Sequence, residues 1–474
     1  MPIGRRIIRH GVLALGVAAF LVVTAGGLFF AMKAHFNPAP PPASYAKPAN
    51  ALEAQRQDLN YFGRLVGMDR SYSLGARATA MSAIVALGNS NTVLERQKFR
   101  VALMEIAALA DNGHTHVGSG EGADPKRLPV RVALFSDGLY IMRARYPYAD
   151  VLGARVEALD GVSTDQAMRR LEMLRGGVKG WRRLNASFYA SLQDVLYGAG
   201  IARSPTRSVW SLLLRNGTRA TRTFDAYQPL PNEPLPFPVR WYSPEPLKNF
   251  TAGWRTLQIN AGATLPVSLT GYADNFRRVW IPHSRAVFIQ LKAIEDADGQ
   301  GLGKFLGETE SDLRTHPPCE VILDLRYSIG GDFTQIAGFG GRLPNLVAAG
   351  GHIYILTSAM TFSASIATAA FVKQAGGNRV EILGEPIGDR LAFFSEGGEG
   401  CLPNYHLCLD FTTGKNDFAA PCTDPDICFW PGWVFPARVK TLEPDELITT
   451  SFADWLQGRD PVLERALVLA RTRR

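Results

Sequence analysis

The sequence predicts an α/β fold built around a parallel sheet, and three observations in residues 319–389 carry that reading. Short apolar runs at 319–326, 352–357 and 379–383 read as buried strands. A helix of small residues, 366–374, separates the second run from the third and is stopped by Gly376-Gly377. Strands alternating with helices imply right-handed crossovers and parallel pairing. Gly330-Gly331 and Ser363 both lie in loops that follow strands, so both fall on the sheet edge where open sheets place ligands.

This arrangement suits acyl transfer. A serine at a strand-to-helix turn exposes its hydroxyl above the sheet. The Ala364 N–H and a glycine N–H from Gly330 or Gly331 could then cradle a developing oxyanion, and a glycine there leaves the substrate unobstructed. The bland alternative is a helix-capping serine beside a glycine turn.

Asp324-Leu325-Arg326 with Ile329-Gly330-Gly331, Thr361-Phe362-Ser363-Ala364-Ser365 and Gly384-Glu385 together resemble the carboxyl-terminal processing peptidases. That superfamily includes the tricorn protease core and the repeats of interphotoreceptor retinoid-binding protein. The resemblance implies a ClpP/crotonase-like α/β catalytic core. It implies Ser363 as nucleophile and Gly330 or Gly331, with Ala364, in the oxyanion hole. The processing branch takes a lysine base shortly after Gly-Glu-x-x-Gly. Here Gly384-Glu385-Pro386-Ile387-Gly388 is followed by Asp389, so a Ser-Lys dyad is excluded at that position. The tricorn-like branch uses a histidine near the N-terminus. Asp111-Asn112-Gly113-His114-Thr115 resembles that branch's Asp-Gly-His-Thr element with one extra residue, and nominates His114 as general base. His114, His116 and Asp111 are a rival zinc set.

From the N-terminus, the 474 residues suggest two or three domains. The chain is 46% hydrophobic and 20% charged, enough to bury a large core. The net charge of +8 is scattered over the chain, which argues against nucleic-acid binding. Residues 11–32 are 22 uncharged, mostly apolar positions preceded by Arg5, Arg6 and Arg9. They are long enough to cross a bilayer core of about 30 Å. The positive flank puts the N-terminus in the cytoplasm and the remainder in the periplasm or outside the cell. An uncleaved transmembrane anchor is favoured over a signal peptide. Residues 37–48 hold five prolines and read as a stiff spacer holding the globular part off the membrane.

Residues 49–127 read as helices. In the last helix Thr92 and Glu95 make a candidate capping box, and Phe99, Leu103, Ile106 and Ala110 recur at helical spacing. Strand patterns at 130–135, 138–144, 154–159, 209–214 and 218–224, with a helix at 164–174, outline an inserted domain at 128–227. It resembles the PDZ-like peptide-binding module of these peptidases, with 175–207 as a departure. Residues 228–283 form a connector without clear periodicity. The catalytic domain occupies 284–474, with a strand at 284–291 and a helix at 302–314.

Cys401, Cys408, Cys422 and Cys428 lie within one short stretch, and in an exported domain they imply two disulfides with three pairings open. A zinc ribbon is the rival. Cys319 is left over as an apolar filler. The stretch around 410–417 should orient His114. Asp417 is favoured, and Asp410 and Asp389 are alternatives. Asp460 as N-cap and Pro461 at the first position open a last helix. The resulting expectation is a membrane-anchored serine peptidase acting on peptides or proteins, with no cofactor. An inactive peptide- or lipid-binding member of the fold and an esterase are the alternatives.

Overall fold

Side-chain caps set the first helices. The computed structural model describes residues 26–27, 29–230, 233, 237, 241–245, 253–271 and 273–472. Asn50 accepts from the Glu53 N–H and opens α1 (Ala51–Met68); Ser73 accepts from Ala76 and opens α2 (Leu74–Gly88). α3 (Arg96–Ala108) begins later than a Thr92–Glu95 capping box would set it, and that box does not form. The Glu95 carboxylate instead accepts from Lys98 and from the Tyr197 hydroxyl. β1 (His116–Ser119) follows.

The inserted segment forms β2 (Val130–Phe135), β3 (Gly138–Arg145), β4 (Arg155–Leu159), β5 (Val162–Ser163), α4 (Thr164–Glu172), α5 (Lys179–Tyr189), α6 (Gln193–Gly198), β6 (Arg207–Leu213) and β7 (Arg219–Asp225). β2, β3, β4, β6, β7 and α4 fall within about two residues of the sequence patterns, whereas β5, α5 and α6 had no pattern assigned to them. β8 (Trp254–Thr256) joins from the connector, and the sheet runs β2-β3-β4-β6-β7, with β5 on β4 and β8 on β3. The sheet has no core of its own. Phe62 and Phe99 of the N-terminal helices share one apolar cluster with Leu139 and Trp210 of the insertion and Leu409 further on. The connector is held by buried arginines. Arg131 donates to the Tyr227 hydroxyl and Glu233, and Arg143 to the carbonyls of Ser243 and Glu245.

The second half comprises β9 (Phe276–Trp280), β10 (Ala286–Leu291), α7 (Leu302–Thr315), β11 (Glu320–Asp324), α8 (Ala337–Arg342), β12 (His352–Thr357), α9 (Ala364–Gly376), β13 (Val380–Gly384), β14 (Ala392–Cys401), β15 (Leu407–Asp417), α10 (Pro431–Val434), β16 (Glu446–Leu447), α11 (Phe452–Leu456) and α12 (Pro461–Thr472). The central sheet runs β16-β13-β12-β11-β10-β9, parallel except for β9. Alternate residues of its strands face opposite layers. Leu323 and Ile355 pack with Ala367 and Ala370 of α9, while Ile322 and Tyr354 pack with Leu463 and Ala466 of α12. A third sheet, β1-β15-β14, ties residues 116–119 to the long hairpin of the second half.

Two expectations change, and a third, the membrane anchor, falls largely outside the described residues. Most of residues 11–32 lie outside the described residues, and among those described no helix is long and apolar enough to cross a membrane. The proline-rich segment is not a free spacer. The Pro41 carbonyl accepts from the Tyr61 hydroxyl and that of Pro42 from Arg64. Phe36, fully buried, packs edge-on against Phe429, and its carbonyl accepts from Thr413. Proline removes backbone donors but leaves every carbonyl free, so such a segment docks through side-chain donors of its neighbours. Cys319 sits just ahead of β11 and is half-buried, not a core filler. The other four cysteines pair 401–408 and 422–428.

A buried ion network closes the sheet at its C-terminal edge. Arg326 donates to Asp324 at 2.9 Å and to Asp460 at 2.7 Å, and Asp460 also caps α12 by accepting from Leu463. Replacing the cation strands two buried carboxylates. Arg326→Met should therefore cost about 3–5 kcal/mol in denaturant unfolding; a loss below 1 kcal/mol would show the network to be dispensable.

Candidate active site

β12 ends at Thr357 and the chain turns back into α9 within six residues, which forces the turn to be tight. Ser363 takes the strain, with φ +54° and ψ −124°, a region that only glycine occupies freely. Its side chain makes no capping hydrogen bond, so the helix-cap reading fails. The turn is stapled to the loop after β11 by Phe362 N–H to the Ser328 carbonyl, Ser365 Oγ to Ser328 Oγ and Thr361 Oγ1 to the Leu325 carbonyl. These ties bring Gly330 against the serine. A Cβ on Gly330, whose φ is +111°, would lie 2.6 Å from Ser363 Cβ and 3.1 Å from the Ala364 nitrogen. Gly331 instead bridges to Ile294 on the other side of the loop. Of the two candidate glycines, Gly330 adjoins the serine.

His114 reaches the same turn from the N-terminal part of the chain. Its ring stacks on Phe362, the residue before Ser363, at 4.4 Å between centroids, and on Phe393 at 5.3 Å. Trp181 stacks on Phe362 in turn, at 3.9 Å and 2°. His114 Nδ1 lies 4.0 Å from Asp389 Oδ2. That is beyond hydrogen-bond reach, and neither ring nitrogen nor this carboxylate oxygen has a hydrogen-bond partner. Burial, with the positive charge of Arg175, lowers the histidine to about 3, so the ring is neutral near pH 7. Burial raises Asp389 from 3.8 to about 6, against the pull of the Arg390 and Gly113 N–H groups.

The loop carrying His114 is fixed on both flanks. Arg175 and the Trp181 indole both donate to the Gly113 carbonyl. Gly177, at φ +94°, lies against the Gly113 backbone, where a Cβ would come within 3.1 Å. On the other flank the buried carboxylate of Asp69 accepts from Thr115 Oγ1 at 2.6 Å and from the Thr412 N–H at 3.1 Å. The extra residue of the motif, Asn112, donates to Thr115 and Thr412. It fills a gap in this network.

Asp417 is not brought to the imidazole. It accepts from Lys415 at 2.9 Å and from the N–H groups of Ala419 and Ala420, which use both its oxygens. Asp410 faces His116 across the β1–β15 pair, 3.3 Å from Nε2. His116 Nδ1 meets the His114 carbonyl and Asp111 pairs with Arg390, so the rival zinc set does not converge among the described residues. Asp389 is the carboxylate beside His114. Its signal in the sequence was its place directly after Gly384-Glu385-Pro386-Ile387-Gly388. Arg175, Trp181 and Asp69 had no comparable signal.

Two stability measurements follow. Ser363→Gly should be about 1 kcal/mol more stable than Ser363→Ala, because only glycine relieves the strained backbone; equal stabilities would remove the strain argument. An acid whose folded value is raised is stabilised in its protonated form. Asp389 therefore favours folding below about pH 4 and loses that contribution as pH rises through about 6. Asp389→Asn should be more stable than the parent at pH 8, by up to about 3 kcal/mol, and lose this advantage at pH 4.

No family model and no curated protein matches this chain. Solved structures do. Mature CPAF complexed with lactacystin aligns at a TM-score of 0.56 and 11% identity, covering 89% of this chain and 98% of that one. The CPAF S499A mutant aligns at 0.58 and 11%, covering 89% and 97%. A photosystem II D1 C-terminal processing protease aligns at 0.35 and 13%, covering 83% and 92%, a score too low to carry weight here. The chain thus has the fold of CPAF over most of its length, a mixed α/β fold of the kind the processing-peptidase resemblance implied.

Proposed function

We propose that this protein is a serine-type peptidase. The observation that carries the reading is the juncture of His114, Asp389 and the strained Ser363 turn. Nδ1 of His114 faces Asp389 at 4.0 Å. Nε2, which has no hydrogen-bond partner, is the nitrogen that takes the serine proton in this reading. Ser363 Oγ attacks the peptide carbonyl carbon and its proton passes to His114. The oxyanion is held by the N–H groups of Gly330 and Ala364. His114 then returns the proton to the leaving amine, and an acyl-enzyme remains. Water, deprotonated by the same imidazole, releases the acid and restores Ser363. Asp389 orients the ring and stabilises its charged form, closing the 4.0 Å gap when the ring is protonated. CPAF, with the same fold, has been studied as an S499A mutant and in complex with lactacystin.

The cellular setting belongs to the same proposal. Residues 11–32 anchor the chain in a membrane, and the rest lies in the periplasm or outside the cell. The length and apolarity of that stretch support this, as do two disulfides, which suit an oxidising compartment. The inserted sheet with α4 serves as a PDZ-like module that holds the substrate as an added strand. The competing reading is an inactive binding member, favoured by the hydrogen-bond-free imidazole.

A fluorophosphonate probe should label the wild-type chain and fail on Ser363→Ala. His114→Ala should slow labelling and peptide cleavage at least about 100-fold. Cleavage should decline as pH falls through about 6, because Asp389 gains a proton there. An unlabelled wild-type chain of intact fold would establish the inactive reading instead.

A further inference from the structure

Next to the site lies a cavity of about 670 Å³, within the ~300–1,000 Å³ range of small-ligand pockets. It opens where the inserted sheet, α5 and the C-terminal edge of the central sheet meet. Its apolar walls include Leu134, Val178, Leu184, Met360, Ile387 and Trp455. Neither Ser363 nor His114 lines it, but Asp389 does. The cavity therefore reaches the site at Asp389, the residue whose carboxylate faces the imidazole.

Four of the charged side chains around it are held in ion pairs. Arg326 is held by Asp324 and Asp460, Arg390 by Asp111, and Arg459 by Asp454 and Glu464. Burial raises Glu385, and the charges of Arg326 and Arg183 oppose the rise. Lys179 is exposed. A charged side chain entering the cavity would lose its hydration against these apolar walls, whereas an apolar one would replace water along most of its surface.

We propose that this cavity is the specificity pocket of the peptidase, taking one bulky apolar side chain, of leucine, methionine or phenylalanine size, at a fixed position from the scissile bond. The inference rests on the peptidase reading and deepens it.

Gly180 gives direct access to a test. It lines the cavity, is exposed, and occupies the first turn of α5. A Cβ there would meet only the Ala359 methyl, at 3.3 Å. Gly180→Trp and Ala359→Leu narrow the cavity from two adjoining positions, on α5 and on the turn after β12, without touching the groups that react. The full-length protein is given a peptide library, with cleavage sites read by mass spectrometry, and its labelling by the fluorophosphonate probe is timed in parallel. The wild type should prefer a large apolar residue at one position. Both variants should shift that preference to glycine or alanine by at least about tenfold while labelling at the parent rate. Parent-rate labelling with an unchanged preference, or a wild type without preference at any position, overturns the pocket and leaves the peptidase standing. A wild type that does not label overturns both.

Discussion

The buried carboxylate of Asp69 joins three parts of the chain that are far apart in sequence. It accepts from Ser71 in its own loop, from Thr115 beside His114, and from both the N–H and the hydroxyl of Thr412 in the long hairpin. Burial raises its value, and these hydrogen bonds oppose the rise. A charge so enclosed tolerates little movement of its partners, because each lost hydrogen bond leaves it further unsatisfied. The loop that presents the imidazole is thereby fixed relative to β15, and β1 continues the same connection as a paired strand.

Against this fixed loop, the turn after β12 is held by different means. Hydrogen bonds from Thr361, Phe362 and Ser365 bind it to the loop after β11, and the aromatic series Trp181, Phe362, His114 and Phe393 packs the two halves together. Stacked rings exclude water from both ring nitrogens of His114 without supplying them a hydrogen bond. The result is a neutral, dry imidazole next to a carboxylate of raised affinity for protons. Such paired displacements of proton affinity are a feature of catalytic sites, where environment rather than residue type sets the role.

The second half of the insertion has a part in this that its position in the chain does not suggest. Residues 175–198 leave the inserted sheet and lie on the His114 loop through Arg175, Gly176, Gly177 and Trp181. They also form one wall of the large cavity. A segment bonded to the loop on one side and lining a pocket on the other can pass on what happens in the pocket.

The sequence by itself determined the layered α/β architecture. Fully apolar strands such as Val321–Leu323 admit only a covered parallel position, and the Gly-Gly and Ser-Ala turns follow from where such strands end. It also determined that Ser363 and His114 belong to one turn and one loop, since both sit in short motifs whose residues are local. Which of Asp389, Asp410 and Asp417 stands beside His114 was decided by the tertiary structure. All three are acids near strand ends, and which one meets the imidazole depends on how β15 and the segment after β13 lie relative to β1. The docking of the proline-rich segment, the latch of Trp181 onto Phe362 and the Asp69 hub were likewise beyond the sequence. Each joins residues tens to hundreds of positions apart through side-chain geometry, and periodicity and propensity record only what neighbours along the chain do.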